Sequence, residues 1–280
     1  MLVAANASIF PDATSIPEQL EATAAAGFDA VELMVSDDGP LGPDTIGSRC
    51  RDIVARARDL GLGILGLVGM AFWKCNYGSP LEADRQRAHD LTLKLMDLAT
   101  DLHAESVLVI PAVVGHAVQP TPGVAYADAL RRTGQALHRL RHEAEARGVL
   151  LAIENVWNRF LLSPIEAADL IDRVNSPNVG FCFDTGNVLP YGYPQDWIST
   201  LGGRVVRVHA KDYDLSRSGR DGFCPLGEGS VDWPATLAAL RAVGYDGPLT
   251  VEGPGEPGEA CRRLRKLLAD GAPPASVECE

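Results

Sequence analysis

Four successive apolar segments late in the chain each deliver one acidic or imidazole side chain at or near their C-terminal end: Ala152-Ile153-Glu154-Asn155, Cys182-Phe183-Asp184-Thr185, Val206-Arg207-Val208-His209 and Leu249-Thr250-Val251-Glu252. Taken singly, each has a plain structural reading: Asp184 could cap a helix, Glu154 could pair with an arginine, and His209 could be a satisfied core histidine. Taken together they point elsewhere. If the four segments are parallel strands of one closed sheet, their C-terminal ends converge on one side of one axis. Three carboxylates brought that close repel one another, and burying them unpaired costs more than a fold tolerates. A cation resolves the conflict. Three carboxylate oxygens and one imidazole suit a hard or borderline ion, so we expect one divalent metal per chain, Mn²⁺ ranked first with Mg²⁺, Co²⁺ or Zn²⁺ as alternatives.

The elements that must position these residues follow a repeated grammar. An amphipathic helical stretch closes at glycine (Gly27, Gly61 with Gly63, Gly148, Gly244) and a short apolar run follows within a few residues. Glycine just past a helix tolerates the left-handed conformation that ends it. Eight apolar runs emerge, around Val3 to Ile9, Ala30 to Leu33, Ile64 to Val68, Ser106 to Ile110, Val149 to Ile153, Val179 to Phe183, Val205 to Val208 and Leu249 to Val251. Most are continuously apolar, as parallel strands buried on both faces must be. The clearest helices run from Pro80 to Leu102 and from Val124 to Arg147, and Ser163-Pro164-Ile165-Glu166 reads as a capped helix start. Eight strands alternating with helices predict an α/β fold, a (β/α)8 TIM barrel forming a single domain over residues 1–269, with a disordered tail over 270–280. A doubly wound open sheet would need fewer strands and a glycine fingerprint, which is missing.

Composition narrows the partners. The 280 residues are 46% hydrophobic and 22% charged, and the formal net charge of -12 disfavours a nucleic-acid partner, which would call for a basic patch. The six cysteines show no CxxC spacing, so we expect reduced thiols and neither a zinc ribbon nor a disulfide framework. No apolar run approaches the roughly 18 residues of a spanning helix, and no leader pattern opens the chain. The expectation is a cytoplasmic protein with a small-molecule ligand, no membrane or nucleic-acid partner, and room for homo-oligomers.

At this point the chain resembles the xylose isomerase-like TIM barrels, which include sugar phosphate isomerases/epimerases and ketose 3-epimerases. The resemblance rests on Gly27-Phe28-Asp29-Ala30-Val31-Glu32, Ile153-Glu154-Asn155-Val156-Trp157-Asn158-Arg159, Phe183-Asp184-Thr185-Gly186-Asn187, Arg207-Val208-His209-Ala210-Lys211-Asp212, and Gly244-Tyr245-Asp246-Gly247 with Glu252, in the family's order and nearly end to end. It implies a metal-dependent isomerase or epimerase of a sugar or sugar phosphate. Glu154, Asp184, His209 and Glu252 match the metal ligands, and the two glutamates match the groups that exchange protons with substrate. The chemistry is sound on independent grounds, because a metal bridging a carbonyl and its neighbouring hydroxyl stabilises the enediolate left when the intervening proton departs. Ketose 3-epimerases usually carry a histidine three residues beyond the aspartate ligand and a glutamate shortly after the first ligand, where this chain has Asn187 and Phe160. Asparagine donates a hydrogen bond but carries no proton, which directs the expectation toward the sugar phosphate branch.

Other residues are candidates around the site. Arg217 and Arg220, in a Gly- and Ser-rich segment from Lys211 to Gly229, could clamp a phosphate or hydroxyls or could be ordinary surface charge. That segment itself reads as a lid, a clamp or a tolerated insertion. Lys211, two residues past His209, is expected to point to the other side of the strand or up into the loop, though it could reach substrate. Trp73 could wall a sugar ring or simply pack. Glu32 could orient a ligand, bind a hydroxyl, or pair with an arginine. Three rivals share the scaffold: an inosose-type dehydratase, a DNA-repair endonuclease, which the net charge opposes, and a barrel that binds sugar or a protein without turnover.

Overall fold

Each apolar run is a strand, and the strands close on themselves. The computed structural model describes residues 1–115 and 123–271. The barrel consists of β1 Val3–Asn6, β2 Ala30–Val35, β3 Gly63–Gly69, β4 Ser106–Val109, β5 Leu150–Glu154, β6 Val179–Asp184 and β7 Val205–Ala210. A small hairpin follows, β8 Asp212–Tyr213 with β9 Phe223–Cys224, and β10 Leu249–Val251 completes the barrel. All eight barrel strands run parallel in the order β1-β10-β7-β6-β5-β4-β3-β2, and the pairing of Val3 with Leu249 closes the ring. Eight helices alternate with them: α1 Ile16–Ala25, α2 Ser48–Asp59, α3 Glu82–Asp101, α4 Tyr126–Arg147, α5 Pro164–Val174, α6 Pro194–Leu201, α7 Trp233–Ala242 and α8 Pro257–Asp270.

Local chemistry sets the boundaries. Gly27, Gly61, Gly148 and Gly244 all have positive φ, from 65° to 88°, which lets each helix stop and its chain turn into the next strand. Ser163 caps α5 as expected, its hydroxyl accepting from Glu166 N at 3.3 Å. The first run ends earlier than its apolar character suggests. The Asn6 side chain accepts from Ser8 N at 2.9 Å and bends Ala7–Ile9 into a 3-10 turn.

The two-residue period of a strand divides the side chains into two environments. Val31, Leu33, Phe181, Phe183 and Val208 face outward into the large core shared with the helices. Inside the barrel sit smaller apolar layers, Val68-Leu108-Ala152-Cys182 and Ala4-Ala30-Leu65, with a buried polar tier of Asn6, Glu32, Glu154, Asp184 and His209. Five cysteines are free thiols; Cys279 lies outside the described residues. Of the expected tail over 270–280, Asp270 ends α8, and residues 272–280 lie outside the described residues. Among the described residues no helix is long and apolar enough to cross a membrane.

Candidate metal and active site

The strand ends that carry the site are clipped to one another by side chains. Asn155, just past β5, accepts from Asp184 N at 2.8 Å and donates to Asp184 O at 3.0 Å, tying the ends of β5 and β6. Thr185 Oγ1 donates to Lys211 O at 2.6 Å and accepts from Lys211 N at 3.0 Å, tying β6 to β7. Glu252 N donates to Ala210 O at 3.1 Å, which ties β10 to β7. Rigid strand ends of this kind hold reacting groups more tightly than free loops do.

The four residues that close the late strands meet. Glu154, Asp184, His209 and Glu252 offer ligand atoms that all lie within 4.8 Å of one another, and all but Glu252 are buried. Asp184 Oδ1 is committed, accepting from Gly186 N at 2.9 Å and Asn187 N at 2.7 Å. Its Oδ2 is buried without a well-formed hydrogen bond, although the Lys211 ammonium lies 3.0 Å away. His209 Nε2 lies 2.9 Å from Glu32 Oε2, and Asn6 Nδ2 donates to that same oxygen at 2.7 Å. A carboxylate at Nε2 anchors one imidazole proton there and turns Nδ1 toward the cluster. Nδ1 faces Glu154 Oε1 at 3.0 Å and Glu252 Oε2 at 2.6 Å, contacts that a second imidazole proton satisfies. A divalent ion would take the place of that proton among three carboxylates, with the Asp184 oxygen beside Lys211 as a fourth donor. The donor set therefore fits a divalent ion.

Electrostatics express the same strain. Burial, outweighing the nearby His209 cation, raises Glu154 to about 7. Burial likewise raises Asp184 despite Lys211 beside it. Burial alone would raise Glu252, but Lys211 and His209 pull its carboxyl well below the usual range. Burial would lower His209, but Cys182 and the carboxylates of Glu32, Glu154 and Glu252 hold it well above its ordinary value. Burial pushes the Cys182 thiol itself to about 12, so it stays neutral and the carboxylates carry that effect.

Other candidates fall on both sides of expectation. Lys211 does not turn away from the site: its Nζ lies 2.7 Å from Glu252 Oε1, because residues two apart along a strand share a face and His209 already points inward. Among the described residues Glu32 has no arginine partner; it holds His209 and Asn6. Gly66 makes room for it, since a Cβ there would lie 3.2 Å from Glu32 Oε1 and 2.5 Å from Ser106 Oγ. Asn187 lines the cavity, but its amide nitrogen is committed to Asn155 O at 3.0 Å. Trp73 lines the cavity and packs on the core. Arg217 is not in the cavity wall; it is exposed and lies 3.3 Å from Asp214. Arg220 is in the wall.

The cavity above the cluster measures about 220 Å³. Its wall contains residues that sequence reasoning passed over, including Asn6, Ser8, Trp157 and Phe223. Asn6 had a signal, a polar residue inside the first apolar run. The aromatic wall had none, because Trp157 stacks on Phe223 at 4.9 Å across 66 positions of sequence. The segment from Lys211 to Gly229, read as a lid, a clamp or a tolerated insertion, contains a hairpin in which Asp212 pairs with Cys224 and Tyr213 with Phe223.

Residues 20–270 match the family model of the xylose isomerase-like TIM barrel. A 3-dehydroshikimate dehydratase of Pseudomonas aeruginosa is 30% identical over 250 residues, covering 85% of this chain; the match spans only 36% of that longer protein. An L-ribulose 3-epimerase of Mesorhizobium japonicum is 30% identical over 252 residues, 86% of this chain and 77% of the relative. The crystal structure of a D-tagatose 3-epimerase-like protein superposes with a TM-score of 0.80 over 97% of this chain and 98% of that one, at 21% identity, a likeness of fold. Family model, relatives and barrel agree, and the chain belongs to the xylose isomerase-like TIM-barrel family.

Proposed function

We propose that the protein is a divalent-metal-dependent isomerase or epimerase of a small keto sugar or sugar phosphate, acting in the cytoplasm with Mn²⁺ as its first-choice ion. The observation that carries this reading is the meeting of Glu154 and Glu252 on His209 Nδ1 at the floor of one cavity. Glu154, Asp184, His209 and Glu252 would hold the ion. When bound there, it would draw electron density from a ketone and its neighbouring hydroxyl and so acidify the C–H between them.

The protein's own residues supply the proton traffic. Glu154 ends β5 and Glu252 follows β10, three strand positions apart around the barrel, so they approach a bound ketose from different sides. One carboxylate takes the proton from carbon and the other carboxyl returns one to the opposite face, which inverts that carbon. Return to the adjacent carbon, with a proton moving between the two oxygens, gives aldose-ketose exchange instead. Burial raises Glu154 while Lys211 and His209 lower Glu252, and such a split suits an acid and base pair. Trp157 and Phe223 shield the reacting carbons from water.

The test is proton exchange with solvent. With added Mn²⁺ in deuterated water, the protein should place deuterium at the carbon beside the carbonyl of at least one ketose from a broad panel, and Glu154→Gln and Glu252→Gln should lose it. Exchange with no member of the panel contradicts the proposal. A second reading, dehydration of a cyclic hydroxyketone, has support from the dehydratase relative. Loss of hydroxide beside the same acidified carbon uses the same groups, and the conjugated enone it forms absorbs in the ultraviolet, so product analysis separates the two.

A further inference from the structure

The hairpin after β7 is built as an arm that carries Arg220 to the cavity wall. Its root is Asp212, buried, whose carboxylate accepts from Tyr213 N, Val231 N, Gly227 N and the Trp233 indole at 2.9, 3.2, 2.8 and 3.0 Å. Its flank is the aromatic trio of Trp157, Tyr213 and Phe223. Its tip is held by the Tyr213 hydroxyl, within 3.2 Å of Gly219 O and 3.3 Å of Arg217 O. Gly222 lets the tip close on that ring, since a Cβ there would lie 2.3 Å from it.

This arm carries two arginines with different fates. Arg217 pairs with Asp214 at 3.3 Å and is not in the cavity wall. Arg220, exposed, lines the cavity and makes no ion pair or side-chain hydrogen bond among the described residues. The other cavity cation outside the histidine, Lys211, is spent on Asp184 and Glu252 at the floor. A guanidinium at the cavity wall without a protein partner offers its planar fork to an oxyanion. In a chain of net charge -12, an anion would otherwise be repelled from this cavity.

We propose that Arg220 recognises an anionic group, phosphate or carboxylate, at the end of the substrate remote from the reacting carbonyl. This rests on the isomerase reading for the floor of the site, and it selects charged over neutral substrates within it. The carbonyl end goes to the buried cluster, and the anion stays at the exposed mouth.

Calorimetric binding to the full-length protein tests it, with D-ribulose, D-ribulose 5-phosphate and 3-oxocyclohexane-1-carboxylate as probes and inorganic phosphate as competitor. At least one anionic probe should bind roughly ten- to hundredfold tighter than D-ribulose. Arg220→Ala should erase that margin, Arg220→Lys should restore part of it, and Arg217→Ala should leave it intact. The tighter anionic probe separates phosphate from carboxylate as the source. Equal affinity for neutral and anionic probes, or an equal loss for both in Arg220→Ala, overturns the proposal. An Arg220-dependent margin without deuterium exchange on any ketose supports it while overturning the isomerase reading; exchange on neutral ketoses with no margin does the reverse.

Discussion

His209 Nε2 sits 2.9 Å from Glu32 Oε2, and this contact between β7 and β2, deep inside the barrel, decides which face of the imidazole is offered to the carboxylate cluster. Metal-binding histidines commonly have their second nitrogen anchored by an acceptor, and losing that anchor typically lowers metal affinity by about 10–100-fold. Glu32→Gln should weaken Mn²⁺ binding by roughly that factor while circular dichroism stays native. Titration calorimetry checks it; unchanged affinity would mean that the tautomer is set elsewhere.

Metal binding should release protons. Glu154 stands near 7 and His209 well above its ordinary value, so both carry protons that an ion must displace at lower pH. Apparent affinity should therefore rise with pH through 7 and continue rising above it. Calorimetry in buffers of different ionisation enthalpy reads the proton count directly, and an affinity flat from pH 6 to 8 would contradict the assignment.

Lys211→Met should separate the metal-free and metal-loaded proteins. Without the ammonium, the buried Asp184 oxygen and the Glu252 carboxylate lose their cation. Breaking a buried ion pair costs about 3–5 kcal/mol, and at roughly 2–4 °C per kcal/mol the metal-free variant should melt about 6–20 °C lower. Saturating Mn²⁺ should recover much of the loss, because the ion neutralises the same carboxylates. A melting temperature that falls equally with and without Mn²⁺ would refute this role.

Asp212→Ala should loosen the arm. Its carboxylate satisfies three backbone N–H groups and the Trp233 indole, all of which the variant leaves without that acceptor. The expected loss is about 2–4 kcal/mol, with amide exchange accelerated at Gly227 and Val231. Exchange rates matching the parent protein would show that the hairpin holds itself.

Much of this was legible in the sequence because it is local. Strand period, helix-ending glycines and the run-then-ligand pattern at Glu154, Asp184, His209 and Glu252 each lie within a dozen residues. The clearest helices sit within two residues of their expected ends at α3 and α4. What escaped reading is long-range or small. β8 and β9 are two residues each, too short for a periodic signal. Nothing local distinguishes Arg217, drawn to Asp214, from Arg220, three residues on, which lines the cavity. The inward turn of Lys211 was legible in principle from its two-residue spacing to His209, yet its target, Glu252, lies 41 residues away.

The most direct test of the central claim is the metal content of the purified protein. Inductively coupled plasma mass spectrometry after equilibration with Mn²⁺ and desalting should find about one ion per chain. His209→Ala, which deletes a ligand, and Asp184→Asn, which removes a ligand's charge, should fall well below that while remaining folded. An ion-free parent protein that added Mn²⁺, Co²⁺ or Mg²⁺ neither stabilises nor activates would contradict the account.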